Sequence, residues 1–250
     1  MFDSSLPISF YKEVATLSEE HQIYYVQHID TKKVYLKKTL SVYNLNVYEQ
    51  LFRHHIKNIP RLYAMYQHDG VLTIIEEYIS GDTLQEVIDL CGSVSEIDAI
   101  SYAIKLCDIL IELHSQKPIL IHRDIKPSNI ILTEDERIIL IDLNAARQCI
   151  TEKERDTRLI GTEGYAAPEQ FGFGNSSCQT DIYAVGNLIK TLTGNDNVHS
   201  KKKSAKLSTV INKCLEMNPK DRYQSASQLK KALQKLQCIL SITNYNNRNY

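Results

Sequence analysis

A polar segment near the middle of the chain, residues 122–129 (HRDIKPSN), leads directly into two apolar runs. The first run covers residues 130–132, the second covers residues 138–141, and a short polar link separates them. Two apolar runs of this length around a polar link are typical of a buried β-hairpin. The pattern therefore predicts that Asn129, before the first strand, and Asp142, after the second, lie at the same place.

The polar segment fits the pattern HRDxKPxN of a protein kinase catalytic loop, so the chain resembles the eukaryotic-type (bacterial, Hanks-type) serine/threonine protein kinase family. The resemblance covers about Phe10 to Leu236. It implies that Asp124 accepts or orients the proton of an attacking hydroxyl, and that Lys126 places a cation beside the moving phosphoryl group. These roles suit phosphoryl transfer, which depends mostly on positioning and charge neutralisation.

The same resemblance implies ATP and Mg²⁺ (or Mn²⁺) as cofactors. Asn129 and Asp142 are the expected metal ligands, since hard divalent cations prefer amide and carboxylate oxygens. Asp142 opens the triplet Asp142-Leu143-Asn144, in which Asn144 replaces the glycine that the family usually has. Asparagine tolerates unusual backbone angles better than most residues do.

Residues 161–169 (GTEGYAAPE) resemble the end of a kinase activation segment. This likeness implies that Thr162 steadies Asp124, and that Lys126 combined with Thr162 marks specificity for serine or threonine. The adjoining residues 166–171 (AAPEQF), together with the compact chain, resemble bacterial members of the family.

Three structural residues follow from the resemblance. Glu169 is expected to form a buried ion pair with Arg222, and Asp181 is expected at the start of the helix that anchors the catalytic loop. Removing one partner of a buried ion pair strands a charge, which typically costs ~3–5 kcal/mol.

Two threonines of the segment between Asp142 and Pro168, Thr151 and Thr157, are candidate phosphorylation sites. Arg123, beside the catalytic aspartate, would give a phosphothreonine a cation to bind. We therefore expect control by autophosphorylation.

Toward the amino terminus, residues 34–37 (VYLK) occupy the place of the strand whose lysine grips the α- and β-phosphates of ATP. Lys37 is preferred to Lys38, because strand alternation places Tyr35 and Lys37 on one face. Tyr35 stands where a small alanine usually touches adenine, which predicts a reshaped pocket. Glu49 is the candidate partner of Lys37 by elimination, with a shortened helix or another lysine partner as the alternative.

Residues 77–84 (EYISGDTL) resemble the hinge between the kinase lobes. Backbone groups of Glu77 and Ile79 are expected to bond adenine, and Ile131 is a further nucleotide-binding candidate. This alignment makes Glu76 the residue that guards the back of the pocket. An ionised carboxylate there is costly unless it is paired or hydrated.

The family's phosphate-covering loop, GxGxxG, has no counterpart here. Residues 16–21 (TLSEEH) take its place, and the first glycine of the chain is Gly70. Glycines let backbone N–H groups approach phosphates closely, whereas acidic side chains repel them. The two glutamates of this stretch must therefore point outward or be separated from phosphate by a metal.

The predicted fold is α+β and bilobal, with a small β-rich N-lobe and a larger, mostly helical C-lobe. Residues 1–9 are read as a lead, residues 10–78 as the N-lobe and residues 79–236 as the C-lobe. Residues 237–250 are predicted to be a disordered tail, since four of the last seven residues are asparagine.

The composition of the chain limits the classes of binding partner and the cellular locations to be expected. The 29 basic and 30 acidic residues leave a net charge of −1, which predicts no nucleic-acid partner. No apolar run approaches the ~18–20 residues that span a bilayer, so no membrane span is expected. The six cysteines are scattered without metal-binding spacing and predict free thiols in the cytoplasm.

These features predict a serine/threonine protein kinase whose partners are ATP and a protein carrying Ser or Thr. One alternative is a pseudokinase that acts as a nucleotide-binding scaffold, which the missing glycines favour; the presence of Asp124, Asn129 and Asp142 argues against it. The other is a small-molecule kinase of the same fold. The full activation segment, with Thr162, argues against that.

Overall fold

The computed structural model describes residues 8–149, 161–172, 175–194 and 204–248. The chain divides into two compact units, Met1–Ser80 and Gly81–Tyr250. The first unit is built on a five-stranded sheet and the larger second unit is mostly helical. The predicted fold class, α+β with a small β-rich lobe and a larger helical lobe, is confirmed.

The first unit holds an antiparallel sheet in the order β1-β2-β3-β5-β4. Its strands are β1 (Tyr11–Ser18), β2 (Ile23–His28), β3 (Val34–Leu40), β4 (Leu62–His68) and β5 (Val71–Glu77), and helix α1 (Leu45–Arg53) connects β3 to β4. The β4–β5 turn is Asp69-Gly70, with both residues at positive φ. This dipeptide is the one that a tight two-residue hairpin favours, which is why the chain reverses here.

The two faces of this sheet have different coverings. One face holds a buried cluster of Val26, Ala64 and Ile75, against which Tyr11 and Tyr35 pack. The other face is the side of Leu72 and Ile74, which pair with Leu40 and Lys38 across β3 and β5; all three apolar side chains are buried.

Helix α1 begins on the Leu72 side of the sheet. Gln67, which lies opposite Leu72, donates a hydrogen bond of 2.7 Å to the hydroxyl of Tyr43, just before the helix. The buried helix residues are Val47, Tyr48, Gln50 and Leu51.

Within its described residues, the second unit contains five longer helices and two small sheets. The helices are α2 (Leu84–Cys91), α3 (Glu96–Ser115), α4 (Cys178–Leu192), α5 (Ala205–Cys214) and α6 (Ala226–Arg248). The strands are β6 (Asp82–Thr83), β7 (Ile119–Ile121), β8 (Ile130–Leu132), β9 (Ile138–Leu140) and β10 (Arg147–Cys149), in sheets β6-β8-β9 and β10-β7. None of the helices in the described part of the chain is long and apolar enough to cross a bilayer.

Helix α3 runs through the core of this unit. Ser95 caps its first turn by accepting a hydrogen bond from the Asp98 amide at 3.1 Å, which satisfies a donor that the helix cannot. The helix then buries Ile100, Leu106 and Leu113.

The predicted hairpin is present as β8 and β9. Its register pairs Ile130 with Leu140 and Leu132 with Ile138. One further backbone bond, from the Ile141 amide to the Asn129 carbonyl at 2.9 Å, closes its open end. The position of Asn129 beside the residue that precedes Asp142 therefore agrees with the sequence pattern.

The C-terminal segment differs from its predicted disorder, because α6 continues through it to Arg248. Leu229, Leu233 and Leu236 are buried at helical spacing in the preceding turns. A helix that is already nucleated and packed extends at low cost through polar residues, and asparagine costs less than ~1 kcal/mol each. Composition alone does not register that support.

Candidate active site

The backbone of residues 122 and 123 is held by one fully buried carboxylate. Asp181, near the start of α4, accepts hydrogen bonds from the His122 amide at 3.0 Å and from the Arg123 amide at 2.9 Å. Arg123 has φ of +71°, a conformation that is uncommon for a residue with a side chain. The two acceptor oxygens of Asp181 therefore offset the strain of the loop and set its path.

His114 of α3 stabilises this buried carboxylate. Its Nε2 lies 2.8 Å from Asp181 Oδ2. Burial would lower the pKa of His114, but the hydrogen bonds to Asp181 and Cys178 outweigh it and raise the pKa to about 9. Burial would likewise raise the pKa of Asp181, yet His114 and the loop amides hold it below its usual value. The pair is therefore ionised at neutral pH.

Three polar side chains converge on Asp124. Thr162 Oγ1 donates to Asp124 Oδ1 at 2.7 Å, and Lys126 Nζ lies 3.0 Å from Asp124 Oδ2. Lys126 also donates to Thr162 at 2.8 Å. Asn129 Nδ2 donates to both the carbonyl and the carboxylate of Asp124, each at 2.9 Å. The structure thus brings together the residues that the resemblance names as catalytic in this unit.

The electrostatics of the cluster keep Asp124 ionised. Burial by itself would raise the pKa of this carboxyl, but the hydrogen bonds from Thr162 and Lys126, and the charge of Lys126, lower it below its ordinary value. An ionised carboxylate beside a cation can accept and orient a hydroxyl proton.

The two candidate metal ligands lie at the open end of the β8–β9 hairpin. Asn129 uses its Nδ2 on Asp124, and within the described residues nothing hydrogen-bonds its amide oxygen. Asp142 has φ of +60° and accepts a bond from the Asn144 amide at 3.1 Å. The described residues contain no cluster of three or more His, Cys, Asp or Glu that could hold a metal by itself.

The expected pair of Glu169 and Arg222 is present and bidentate. The two guanidinium nitrogens lie 2.7 and 2.8 Å from the two carboxylate oxygens, and the residues are 2% and 5% exposed, arginine first. Arg222 Nε and Nη1 also donate to the carbonyls of Glu216 and Gln179, and Thr180 donates to Glu169. The pair is fully hydrogen-bonded, which offsets its desolvation.

Sequence reasoning missed Gln170, which joins this pair to the catalytic loop. Its Nε2 donates to the Arg123 carbonyl at 2.8 Å, and its Oε1 accepts from the Ala167 amide at 2.9 Å. The side chain is 2% exposed. Its position directly after Glu169, a member of the expected buried ion pair, was the available signal that Gln170 is buried too. A buried amide requires hydrogen-bond partners for both its oxygen and its nitrogen.

The lysines of β3 have partners that differ from the expected one. Alternation does place Tyr35 and Lys37 on one face, but Lys37 Nζ lies 2.6 Å from Glu13 of β1. Lys38, on the other face, lies 2.6 Å from Glu76 of β5, and both of these side chains are 10% exposed.

Glu49, the expected partner of Lys37, lies elsewhere. It points along α1 to Arg53 at 3.3 Å in an exposed pair. Helical geometry explains this, because residues four apart are neighbours on a helix surface. Among the described residues, Lys37 and Glu49 are therefore not brought together as predicted.

The predicted hinge residues Glu77 and Ile79 lie at the end of the first unit. The Glu77 amide donates to the Arg61 carbonyl at 2.8 Å, and Ile79 is half-buried just after β5. Ile131, in β8, is also half-buried. A Cβ on Gly81 would lie 2.4 Å from the Leu132 carbonyl oxygen, so only glycine permits this approach to β8.

Two further predictions from the sequence concern the segment in place of the glycine-rich loop and the candidate phosphorylation sites. The stretch in place of the glycine-rich loop is a tight turn between β1 and β2, in which Glu19 and Glu20 are exposed. The candidate phosphorylation sites Thr151 and Thr157 lie outside the described residues.

Comparison with known proteins agrees with this geometry. The sequence model of the family described as protein kinase domain matches residues 13–248. Serine/threonine-protein kinase D of Synechocystis is 34% identical over 76% of this chain and 41% of its own length. Serine/threonine-protein kinase B of the same organism is 31% identical over 70% of this chain and 34% of its length.

A third relative, serine/threonine-protein kinase PknA of Nostoc, is 32% identical over 70% of this chain and 35% of its own length. The chain therefore spans about two fifths or less of the length of these relatives.

Proposed function

Because this chain belongs to the protein kinase family, we propose that it transfers the γ-phosphoryl group of ATP to a Ser or Thr hydroxyl of a protein. The observation that carries this is the cluster around Asp124, in which Thr162, Lys126 and Asn129 all bond one ionised carboxylate. Support for Ser/Thr specificity comes from the contact between Lys126 and Thr162 and from the names of the relatives.

Each side chain has a distinct task in this proposal. Asp124 orients the attacking hydroxyl and receives its proton as the bond to phosphorus forms. Lys126 neutralises charge on the phosphoryl oxygens. Thr162 fixes the position of Asp124, and Asp181 with His114 holds the backbone that presents it.

The residues at the hairpin end fit a divalent cation. Asn129 has its amide oxygen available and Asp142 supplies a carboxylate, so both offer the oxygen ligands that Mg²⁺ or Mn²⁺ takes. A bound cation would neutralise charge on the phosphates of the nucleotide. Asn129 would then link two functions, because its amide nitrogen holds Asp124 and its oxygen would be available as a metal ligand.

Regulation by autophosphorylation at Thr151 or Thr157 belongs to the proposal, as does a location in the cytoplasm. All six cysteines are free thiols, which suits a reducing compartment. Mass spectrometry after incubation with MgATP tests the first point. An active but unmodified protein would contradict it.

The direct test is transfer of labelled γ-phosphate from MgATP to the chain itself and to a generic basic protein, with Asp124→Asn as the matched variant. We expect transfer by the native chain and a loss of about 10²–10⁴-fold in the variant. Circular dichroism of both proteins controls for folding. Folded native protein that transfers no label with Mg²⁺ or Mn²⁺ would contradict the proposal and favour a nucleotide-binding scaffold.

A further inference from the structure

The ion pair between Lys38 and Glu76 is the feature of the first unit that the sequence did not predict. The two head groups lie 2.6 Å apart, and each side chain is 10% exposed. They sit diagonally on neighbouring strands, since Lys38 is opposite Ile74 and Glu76 is opposite Leu36. All four side chains therefore share one face of the sheet.

A buried ion pair needs a reason beyond stability. Desolvating two charges costs as much as, or more than, their attraction returns, and apolar residues of similar volume commonly do as well. A buried ion pair next to a predicted binding segment is therefore a candidate for a functional role. Here the pair includes Glu76, the residue directly before the predicted adenine-binding hinge at Glu77.

The face that carries Lys37 is unsuited to a nucleotide. Tyr35 packs edge-on against Tyr11, with ring centroids 5.3 Å apart, and against Tyr63 at 4.7 Å. These rings and the buried cluster around Val26 fill that face. Lys37 itself pairs with Glu13, whose side chain is 51% exposed.

A shift of one residue along a strand exchanges its two faces. With Lys38 in place of Lys37, Leu36 takes the adenine-facing position that Tyr35 was expected to crowd. Glu76 then lies on the same face, as a residue guarding the pocket must. The unusual tyrosine and the costly carboxylate are thus explained by the same shift.

We propose that Lys38 is the lysine that binds the nucleotide phosphates, and that Glu76 of the neighbouring strand β5 is the residue that positions it. This inference rests on the proposed function and deepens it. The only acid of α1, Glu49, faces Arg53 on the exposed side of that helix. The carboxylate partner is therefore built into the sheet.

Binding of the fluorescent nucleotide TNP-ATP with Mg²⁺ tests the assignment without requiring turnover. The variants are Lys38→Met and Lys37→Met, with Lys12→Met of β1 as a matched surface control. We expect Lys38→Met to weaken the Kd at least about tenfold more than Lys37→Met does, because charge-assisted contacts to phosphate are lost. The control should bind like the native chain.

A double variant, Lys38→Met with Glu76→Leu, separates binding from folding. It removes both charges, so the melting temperature lost in Lys38→Met should return while nucleotide affinity stays low. Recovery of both the melting temperature and the nucleotide affinity would show that the ion pair serves only the fold, and would overturn the assignment.

The remaining outcomes are also decisive. A larger loss of affinity in Lys37→Met than in Lys38→Met would overturn the assignment while leaving the proposed function in place. A folded native chain that does not bind TNP-ATP would overturn both.

Discussion

Lys126 of the second unit and Lys38 of the first unit are held by carboxylates in different ways. In the second unit, Lys126 contacts Asp124 and Thr162, the partners that the catalytic-loop pattern predicts. In the first unit, Lys38 contacts Glu76 of the adjacent strand β5. Glu49 of helix α1, which was expected to pair with Lys37, pairs with Arg53 instead.

The difference follows from how each contact is encoded. Asp124 and Lys126 lie two residues apart in one short segment, whose path is set by the buried carboxylate of Asp181. The lysine contact joins two strands, so it depends on which face each residue occupies. A local pattern survives small changes of register, and a contact across strands does not.

The largest effect on stability should come from removing the buried ion pair between Arg222 and Glu169 in the second unit. Arg222→Met leaves Glu169 buried without its partner, which should lower the free energy of unfolding by ~3–5 kcal/mol. Urea denaturation followed by circular dichroism measures it.

The matched control for this variant is Lys230→Met, which removes the exposed ion pair with Asp108. It should cost no more than ~1 kcal/mol. Equal losses in the two variants would mean that the buried pair contributes no more than a surface one.

The next effect is a pH dependence that originates in His114. Its pKa is raised from an ordinary ~6.5 to about 9 in the folded chain, so its contribution to stability is complete below pH ~6.5. That contribution is lost as the pH rises through about 9, and a shift of this size corresponds to roughly 3 kcal/mol.

Urea denaturation at pH 6.5, 8 and 9.5 measures this loss. His114→Gln should be less stable than the native chain at pH 6.5 and should approach it by pH 9.5. Parallel pH profiles in the two proteins would show that the loss comes from other groups.

The smallest effect should come from Thr162, whose hydroxyl bridges Lys126 and Asp124. Thr162→Val should lower kcat by about tenfold, the equivalent of one or two hydrogen bonds, with little change in melting temperature. Thr162→Ser keeps the hydroxyl and should recover most of the rate. A serine variant as slow as the valine variant would contradict a positioning role for the hydroxyl.

Much of the second unit could be anticipated from the order of its residues. The apolar runs around residues 133–137 predict the β8–β9 hairpin, and the family resemblance implies the pair of Glu169 and Arg222. The hairpin prediction works because apolar runs of strand length around a polar link carry direct geometric meaning.

Other features required the three-dimensional structure. The choice between Lys37 and Lys38 turns on which sheet face is filled by aromatic rings, and alternation alone cannot tell the faces apart. Gln170 and His114 act through contacts with distant elements. The helical C-terminal turns depend on packing of α6 that composition does not record.

The most direct test of the account is a comparison of Glu76→Gln with Glu49→Gln in steady-state phosphoryl transfer, with the KM for MgATP measured in each. Both variants keep the side-chain shape and remove one charge. If Glu76 positions Lys38, we expect kcat/KM for MgATP to fall at least about tenfold further in Glu76→Gln than in Glu49→Gln. An equal or greater loss in Glu49→Gln would contradict it and return the positioning role to helix α1.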